Sequence, residues 1–151
     1  MEPLTILTDL NNENFLKKIY FRAKNFLKKE FFGSNGPNAV LESLIRGFNI
    51  LGVNYQINPR LEKISEIVHV LSGADSLKLA IELKKQRKVK KIIAGPNVVV
   101  TPNDHNGILF DQSIDLILVP SHWVKNFYLS FSSNFINKIK VWPAGVEDPG
   151  D

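Results

Sequence analysis

The 151 residues suffice for one domain with its own core, and 44% hydrophobic and 23% charged residues are ordinary for a globular protein. The absence of cysteine excludes disulfides and thiolate metal sites and is compatible with a reducing compartment. Met1 to Leu10 lack the basic start and long apolar stretch of a signal peptide, and no apolar run is long enough to cross a bilayer. We therefore expect a cytoplasmic protein, either soluble or peripheral at the inner face of the membrane.

The formal net charge of +4 is unevenly distributed along the chain. One basic cluster comprises Lys17, Lys18, Arg22, Lys24, Lys28 and Lys29, and a second comprises Lys84, Lys85, Arg87, Lys88, Lys90 and Lys91. Such clusters are typical of proteins that contact an anionic partner, such as a lipid headgroup, a phosphate or a nucleic acid.

The first predicted elements are a short strand over Leu4–Thr8 and a basic amphipathic helix over 14–32. In that helix the six residues of the first basic cluster lie opposite an apolar arc. The arc consists of Phe15, Leu16, Ile19, Tyr20, Ala23, Phe26, Leu27 and Phe31. A glycine-rich break, 33–38, separates this helix from the next.

The rest of the chain alternates predicted helices and strands, joined by short loops. In order, we predict a helix over about 38–51, a strand over 53–57, a buried strand over 67–71, a helix over about 76–87 and a strand over 90–94 that stops at Gly95-Pro96-Asn97. A loop over 102–107, a buried strand over 114–119, a helix over 123–131 with Ser121 as its N-cap, and a strand over 139–142 complete the series.

This alternation predicts an α/β fold, a Rossmann-like three-layer domain with a mostly parallel sheet. We assign residues 1–142 to this domain. The Pro/Gly-rich, acidic residues 143–151 have the composition of a linker, here a hinge to a second domain.

Four segments in order carry a resemblance to a known family. They are the glycine loop Gly33-Ser34-Asn35-Gly36-Pro37-Asn38, the strand 66–73 with the embedded His69, the strand and serine turn 114–121, and the closing strand and hinge 138–147. Together they are similar to the N-terminal domain of a GT-B retaining glycosyltransferase of the group 1 (family 4) type. The resemblance covers nearly the whole chain apart from the basic helix.

The resemblance implies that this chain binds the acceptor, a glycan or a lipid-linked sugar, and that a second domain binds the nucleotide-sugar donor. That second domain usually carries two glutamates eight residues apart, and no glutamate of this sequence has another eight positions further on. We therefore expect no cofactor in this chain, and a C-terminal donor-binding domain or subunit as its partner. Because donor binding is missing from this chain, the chain alone is expected to be inactive. Gly95-Pro96-Asn97 stands where many family members have a turn with a histidine at the reaction centre, and this departure from the family pattern concerns catalysis even with a partner domain.

Candidate ligand contacts lie in the glycine loop and at the carboxyl ends of the predicted strands. They are Gly33, Ser34, Asn35, Gly36, Asn38, Ser72, Asp75 and Asn97. Glycines permit close backbone approach, a helix N-terminus offers unpaired N–H groups, and ligands of open α/β sheets bind at these strand ends. Each segment also has a plain structural interpretation, as a strand-to-helix turn or a loop.

Catalytic candidates are few. Asp104 and His105 can form an acid/base pair in the polar loop, whereas the apolar strand around His69 favours a core histidine. The spacing of Asp104, His105 and Asp111 matches no metal-site pattern, and we predict no metal.

The basic helix leaves three interpretations open: a solvated helix packed on the sheet, a helix whose lysines contact an anionic membrane, or a nucleic-acid contact. No recognition motif accompanies the charge, which argues against nucleic acid. Two alternatives to the acceptor-binding domain also stay open. One is a stand-alone, non-enzymatic module that binds a glycan or phosphate, and the other is a membrane-recruiting subunit of a two-chain transferase.

Overall fold

The computed structural model describes residues 3–9 and 36–143, and an α/β fold occupies these ranges. The strands are β1 (Leu4–Thr8), β2 (Tyr55–Ile57), β3 (Ile67–Ser72), β4 (Lys91–Asn97), β5 (Leu116–Val119) and β6 (Ile139–Val141). The main helices are α1 (Gly36–Leu51), α2 (Ala74–Lys85) and α3 (His122–Phe131). The described residues thus confirm the predicted alternation of strands and helices.

The strands form one six-stranded sheet in the order β2-β1-β3-β4-β5-β6, and every neighbouring pair is parallel. Parallel neighbours require crossover connections, and α1 connects β1 to β2, α2 connects β3 to β4, and α3 connects β5 to β6. After β1, the chain adds β2 on one side of β1 and then adds β3, β4, β5 and β6 in turn on the other side. The strand order therefore changes direction between β1 and β3.

Alternate residues of the strands divide the core into two clusters, one on each face of the sheet. On the face covered by α2 and α3, strand residues such as Val68, Ile92 and Ile117 pack with Leu77 and Tyr128. On the opposite face, a smaller cluster joins Ile6 and Leu71 of the sheet to Leu41 and Leu44 of α1. The predicted three-layer arrangement is therefore present.

The end of β4 differs from the prediction. Gly95-Pro96-Asn97 does not end the strand; β4 continues to Asn97, which pairs with Ser72 of β3 after an irregularity in the ladder. Gly95 has φ of +116°, and a Cβ there would overlap the carbonyl oxygen of Leu118, so glycine permits close packing against β5. The Gly95–Pro96 peptide bond is cis.

The loop after β4 also contains more structure than expected. A short helical turn covers Asp104–Gly107, and within it His105 and Asn106 adopt left-handed backbone angles. Ser121 is the N-cap of α3 as predicted, since its hydroxyl accepts a hydrogen bond from the Val124 N–H at 3.2 Å. Among the described helices, none combines the length and the apolar character needed to cross a bilayer.

A candidate ligand-binding edge of the sheet

The carboxyl edge of the sheet is the candidate site, because ligands of open α/β folds bind where the strand order changes direction. Here that position lies between the ends of β1 and β3. Thr8 is the last residue of β1 and Asp9 follows it, and Ser72 is the last residue of β3 and Gly73 follows it.

Three polar residues at this position bond to one another. The hydroxyl groups of Thr8 and Ser72 lie 2.7 Å apart, and the Asn58 side-chain amide both donates to the Thr8 carbonyl at 2.9 Å and accepts from the Thr8 N–H at 3.0 Å. Thr8 and Ser72 are buried. Ser72, predicted as a ligand contact, therefore ties β3 to β1 in this structure.

The first turn of α2 is capped by a residue from another strand end. The Asp9 carboxylate accepts hydrogen bonds from the Ser76 N–H at 3.0 Å and from the Ser76 hydroxyl. Gly73 precedes the helix with φ of +91°, and a Cβ there would overlap that carboxylate. A negative group thus already occupies the helix N-terminus where a phosphate would otherwise bind.

Sequence reasoning missed Asp9. Two signals were available: an acidic residue directly after the first strand, and a helix whose own N-cap position is a glycine without a capping side chain. Asp75, which was predicted as a ligand contact, is 86% exposed and pairs with Lys78 at 3.1 Å. The structure therefore does not bring Asp75 into the Asp9–Ser76 contact.

His69 is buried in the sheet, as its apolar strand indicated, with only 4% of its surface exposed. Its Nε2 donates to the Gly95 carbonyl at 2.8 Å, which requires the proton on that nitrogen. Burial lowers the pKa of His69, and the bond to Gly95 opposes this shift only in part. The Trp142 ring packs against it in a T-shaped arrangement, with the two ring centroids 6.1 Å apart. His69 therefore holds the last part of β4, which ends at Asn97.

Asn97 is exposed at the end of β4, and its side chain makes no hydrogen bond to another described residue. An amide in this position can donate to and accept from the hydroxyl groups of a ligand. Of the predicted strand-end contacts, Asn97 is the one whose polar group remains available within the described ranges.

Asp104 closes the loop after β4 through its carboxylate. It accepts hydrogen bonds from the N–H groups of Val100 at 3.1 Å and Thr101 at 2.8 Å, and from the Thr101 hydroxyl at 2.8 Å. The bonds from Thr101 lower the pKa of Asp104, although slight burial opposes them. Asp104 therefore stays ionised and structurally engaged, while the neighbouring His105 is exposed with φ of +52°.

The same loop is tied to α3 by a tyrosine. The Tyr128 hydroxyl donates to the Val99 carbonyl at 3.0 Å. Burial, assisted by the negative charge of Asp104, raises the pKa of Tyr128 to about 12, so the phenol stays protonated and acts as a donor. This bond holds the loop against the helix that follows β5.

Trp123 is a second residue that sequence reasoning missed at this edge. It lies in the first turn of α3, directly after the end of β5, and it is 73% exposed. Its ring stacks on Phe127, with centroids 5.6 Å apart and an interplanar angle of 4°. The sequence did contain a signal for this contact, because Trp123 and Phe127 are spaced about one helical turn apart. The stack holds the plane of the indole parallel to the Phe127 ring.

Several predicted residues lie outside the described ranges. These are Gly33, Ser34 and Asn35 of the glycine loop, the basic helix 14–32 with its six basic residues, and all but the first residue of the linker 143–151. Gly36 begins α1 and Asn38 lies in its first turn, but the Asn38 side chain is also outside the described part. Within the described ranges, no three His, Asp or Glu side chains gather as a metal-binding group.

The comparisons with known proteins identify no relative. No protein-family model matches the chain, and neither does any curated protein sequence or any solved structure.

Proposed function

We propose that this chain is the acceptor-binding domain of a glycosyltransferase of the GT-B, family 4 type, and that it works with a separate donor-binding domain. The observation that carries the proposal is the Asp9 carboxylate at the N-terminus of α2. It favours a neutral, hydroxyl-rich ligand at this edge over the phosphates of a nucleotide sugar, as the proposed division of labour requires.

Two side chains supply the acceptor contacts in this proposal. The Asn97 amide bonds sugar hydroxyls, and the exposed indole of Trp123 stacks on the apolar face of a sugar ring. Asn97 is the last residue of β4, and Trp123 lies four residues after the end of the neighbouring strand β5. His69 holds the Gly95 carbonyl two residues before Asn97, near the end of β4.

The reacting groups of the transferase belong to the other domain in this proposal. Asp104 is ionised and bonded to its own loop, so it is a poor proton donor, and the position where the family places a histidine is Gly95-Pro96-Asn97. Incubation of the chain with labelled UDP-glucose or GDP-mannose and a panel of glycans should give no labelled product. Sugar transfer by these 151 residues alone would contradict the division of labour.

Binding is tested by titrating ¹⁵N-labelled protein with neutral methyl glycosides and, separately, with UDP, UDP-glucose and GDP-mannose. We expect one or more glycosides to shift the Asn97 side-chain amide and the Trp123 indole N–H in the millimolar range, and the nucleotides to shift neither. Asn97→Ala and Trp123→Ala should weaken glycoside binding several-fold, which is the size expected for one lost hydrogen bond or ring contact.

Asn126→Ala serves as the matched control, since Asn126 is an exposed residue of α3 and is not assigned to the contact. Nucleotide-induced shifts at the start of α2, or glycoside binding unchanged by both site variants, would overturn the proposal. A stand-alone glycan-binding module would bind the same glycosides. The two hypotheses are distinguished by adding a donor-binding domain: the transferase domain should then transfer sugar, and a stand-alone binding module should not.

A further inference from the structure

The second face of the sheet carries an apolar surface over its central strands. Ile93 of β4 pairs in register with Leu116 of β5, and Leu118 follows on the same face. Ile67 of β3, 43% exposed, continues this surface toward the amino edge. We call these four residues the β4–β5 patch.

The β4–β5 patch belongs to neither hydrophobic core cluster of the described residues. Ile92, Ala94, Ile117 and Val119, which alternate with the patch residues, belong to the core under α2 and α3. Within residues 3–9 and 36–143, Ile93, Leu116 and Leu118 belong to neither core cluster, and they are only partly buried. Inner strands of all-parallel sheets are normally covered on both faces, so an apolar element is expected here.

Lysines surround the β4–β5 patch. Lys140 lies opposite Leu118 in the ladder, and Lys91 pairs with Ile67. Lys138, which lies next to Leu116 by the same register, donates to the Gln112 carbonyl at 3.2 Å and has the chain's own Asp111 and Asp115 carboxylates nearby. Lys91 and Lys140 are exposed. The positions of β3 to β6 that share this face contain no aspartate or glutamate. An occupant that places acidic groups beside these lysines is therefore favoured by charge.

We propose that the β4–β5 patch docks an amphipathic helix with acidic flanks, supplied by a partner polypeptide. A helix suits the surface better than a strand, because the patch lies on inner strands whose backbone groups are already paired within the sheet. An apolar stripe at helical spacing covers such a face, and flanking carboxylates reach the lysines. The basic segment 14–32 has the opposite charge to the one this surface favours.

The proposal is tested with two synthetic helical peptides that share one leucine stripe and carry either glutamate or lysine on its flanks. Binding of the fluorescein-labelled peptides to the full chain is followed by anisotropy at low salt and at high salt. We expect the glutamate-flanked peptide to bind about tenfold more tightly than the lysine-flanked one, and its affinity to fall with added salt.

Charge reversal locates the binding surface. The double variant Lys91→Glu/Lys140→Glu should weaken the glutamate-flanked peptide about tenfold and strengthen the lysine-flanked one. The control Lys85→Glu/Lys88→Glu makes the same change in net charge. Lys85 is the last residue of α2, Lys88 follows the helix, and both are exposed. This control should leave the affinities of both peptides within about twofold.

Three outcomes would overturn the proposal. They are equal binding of the two peptides, equal effects of the two double variants, and no binding of either peptide, which would mean that the chain's own residues cover the patch. Because the variants change exposed lysines, they are expected to fold. A second measurement, the amide shifts of Leu116 and Leu118 during titration, shows whether the peptide sits on the patch.

Discussion

At the scale of single residues, His69 couples the fold to pH. Burial holds its pKa below the ordinary value of 6.5, so the folded chain keeps the ring neutral while the unfolded chain binds a proton below that pH. The contribution of neutral His69 to the free energy of unfolding is therefore fully present above pH 6.5, and it decreases as the pH falls below 6.5. We expect the free energy of unfolding, measured with urea, to decrease between pH 7.5 and 5.5 by at most about 1.4 kcal/mol per pH unit below 6.5.

His69→Gln is the variant that isolates this effect, because its amide can still donate to the Gly95 carbonyl but does not titrate. We expect it to be less stable than the parent at pH 7.5 and to lose less stability on acidification. His105 and His122 are exposed and remain in both proteins, so they cancel in the comparison. Parallel pH curves for the two proteins would show that His69 does not carry the pH dependence.

At the scale of elements, α2 depends on a side chain from the end of β1. Asp9→Ala removes the acceptor of the Ser76 N–H and hydroxyl, and we expect a loss of about 1 kcal/mol in unfolding free energy, as for other helix caps. The same variant frees the helix N-terminus, so sulfate should stabilise it more than it stabilises the parent. Thermal unfolding with and without sulfate measures both effects.

Asp75→Ala is the matched control for Asp9→Ala. Asp75 is also acidic and lies in the first turn of α2, but its carboxylate is exposed and contacts Lys78. We expect this variant to lose less than about 0.5 kcal/mol and to gain no response to sulfate. Equal losses from both variants would mean that general charge at the helix end, rather than the Asp9 contact, stabilises α2.

The elements themselves were largely predictable from local pattern. The apolar run at 67–71 indicated the central strand β3, and Ser121 before an apolar helix indicated its N-cap, because both signals act within a few residues. The Asp9–Ser76 contact joins residues 67 positions apart, and the Thr8–Ser72 contact joins residues 64 apart. Neither contact follows from local pattern. The sequence therefore predicted which edge of the sheet holds the site, but it did not predict which side chains meet there.

The end of β4 illustrates the same limit. Glycine and proline at 95 and 96 are ordinary strand breakers, and the prediction ended the strand there. In the fold, Gly95 is needed because the Leu118 carbonyl of β5 leaves no room for a Cβ, and pairing with β3 resumes at Asn97. Tertiary contact with the neighbouring strands thus decides where this strand ends.

At the scale of the whole molecule, the two basic clusters lie in separate parts of the sequence, and the second falls within the described residues. The second cluster spans the end of α2 and the start of β4, which is the amino edge of the sheet. The first cluster, within residues 14–32, falls outside the described ranges. The two clusters therefore serve as natural controls for each other in any test of anionic contacts.

We expect the first cluster to bind anionic membrane surfaces, at about 1 kcal/mol for each basic residue near the headgroups. In flotation assays the chain should bind vesicles of phosphatidylglycerol but not of phosphatidylcholine, and high salt should release it. Reversal of Lys17, Lys18, Lys28 and Lys29 to glutamate should abolish binding. Reversal of Lys85, Arg87, Lys88 and Lys91, with the same change in net charge, should largely preserve it. Equal losses would mean that the vesicles sense only net charge, and no binding at low salt would exclude the membrane contact.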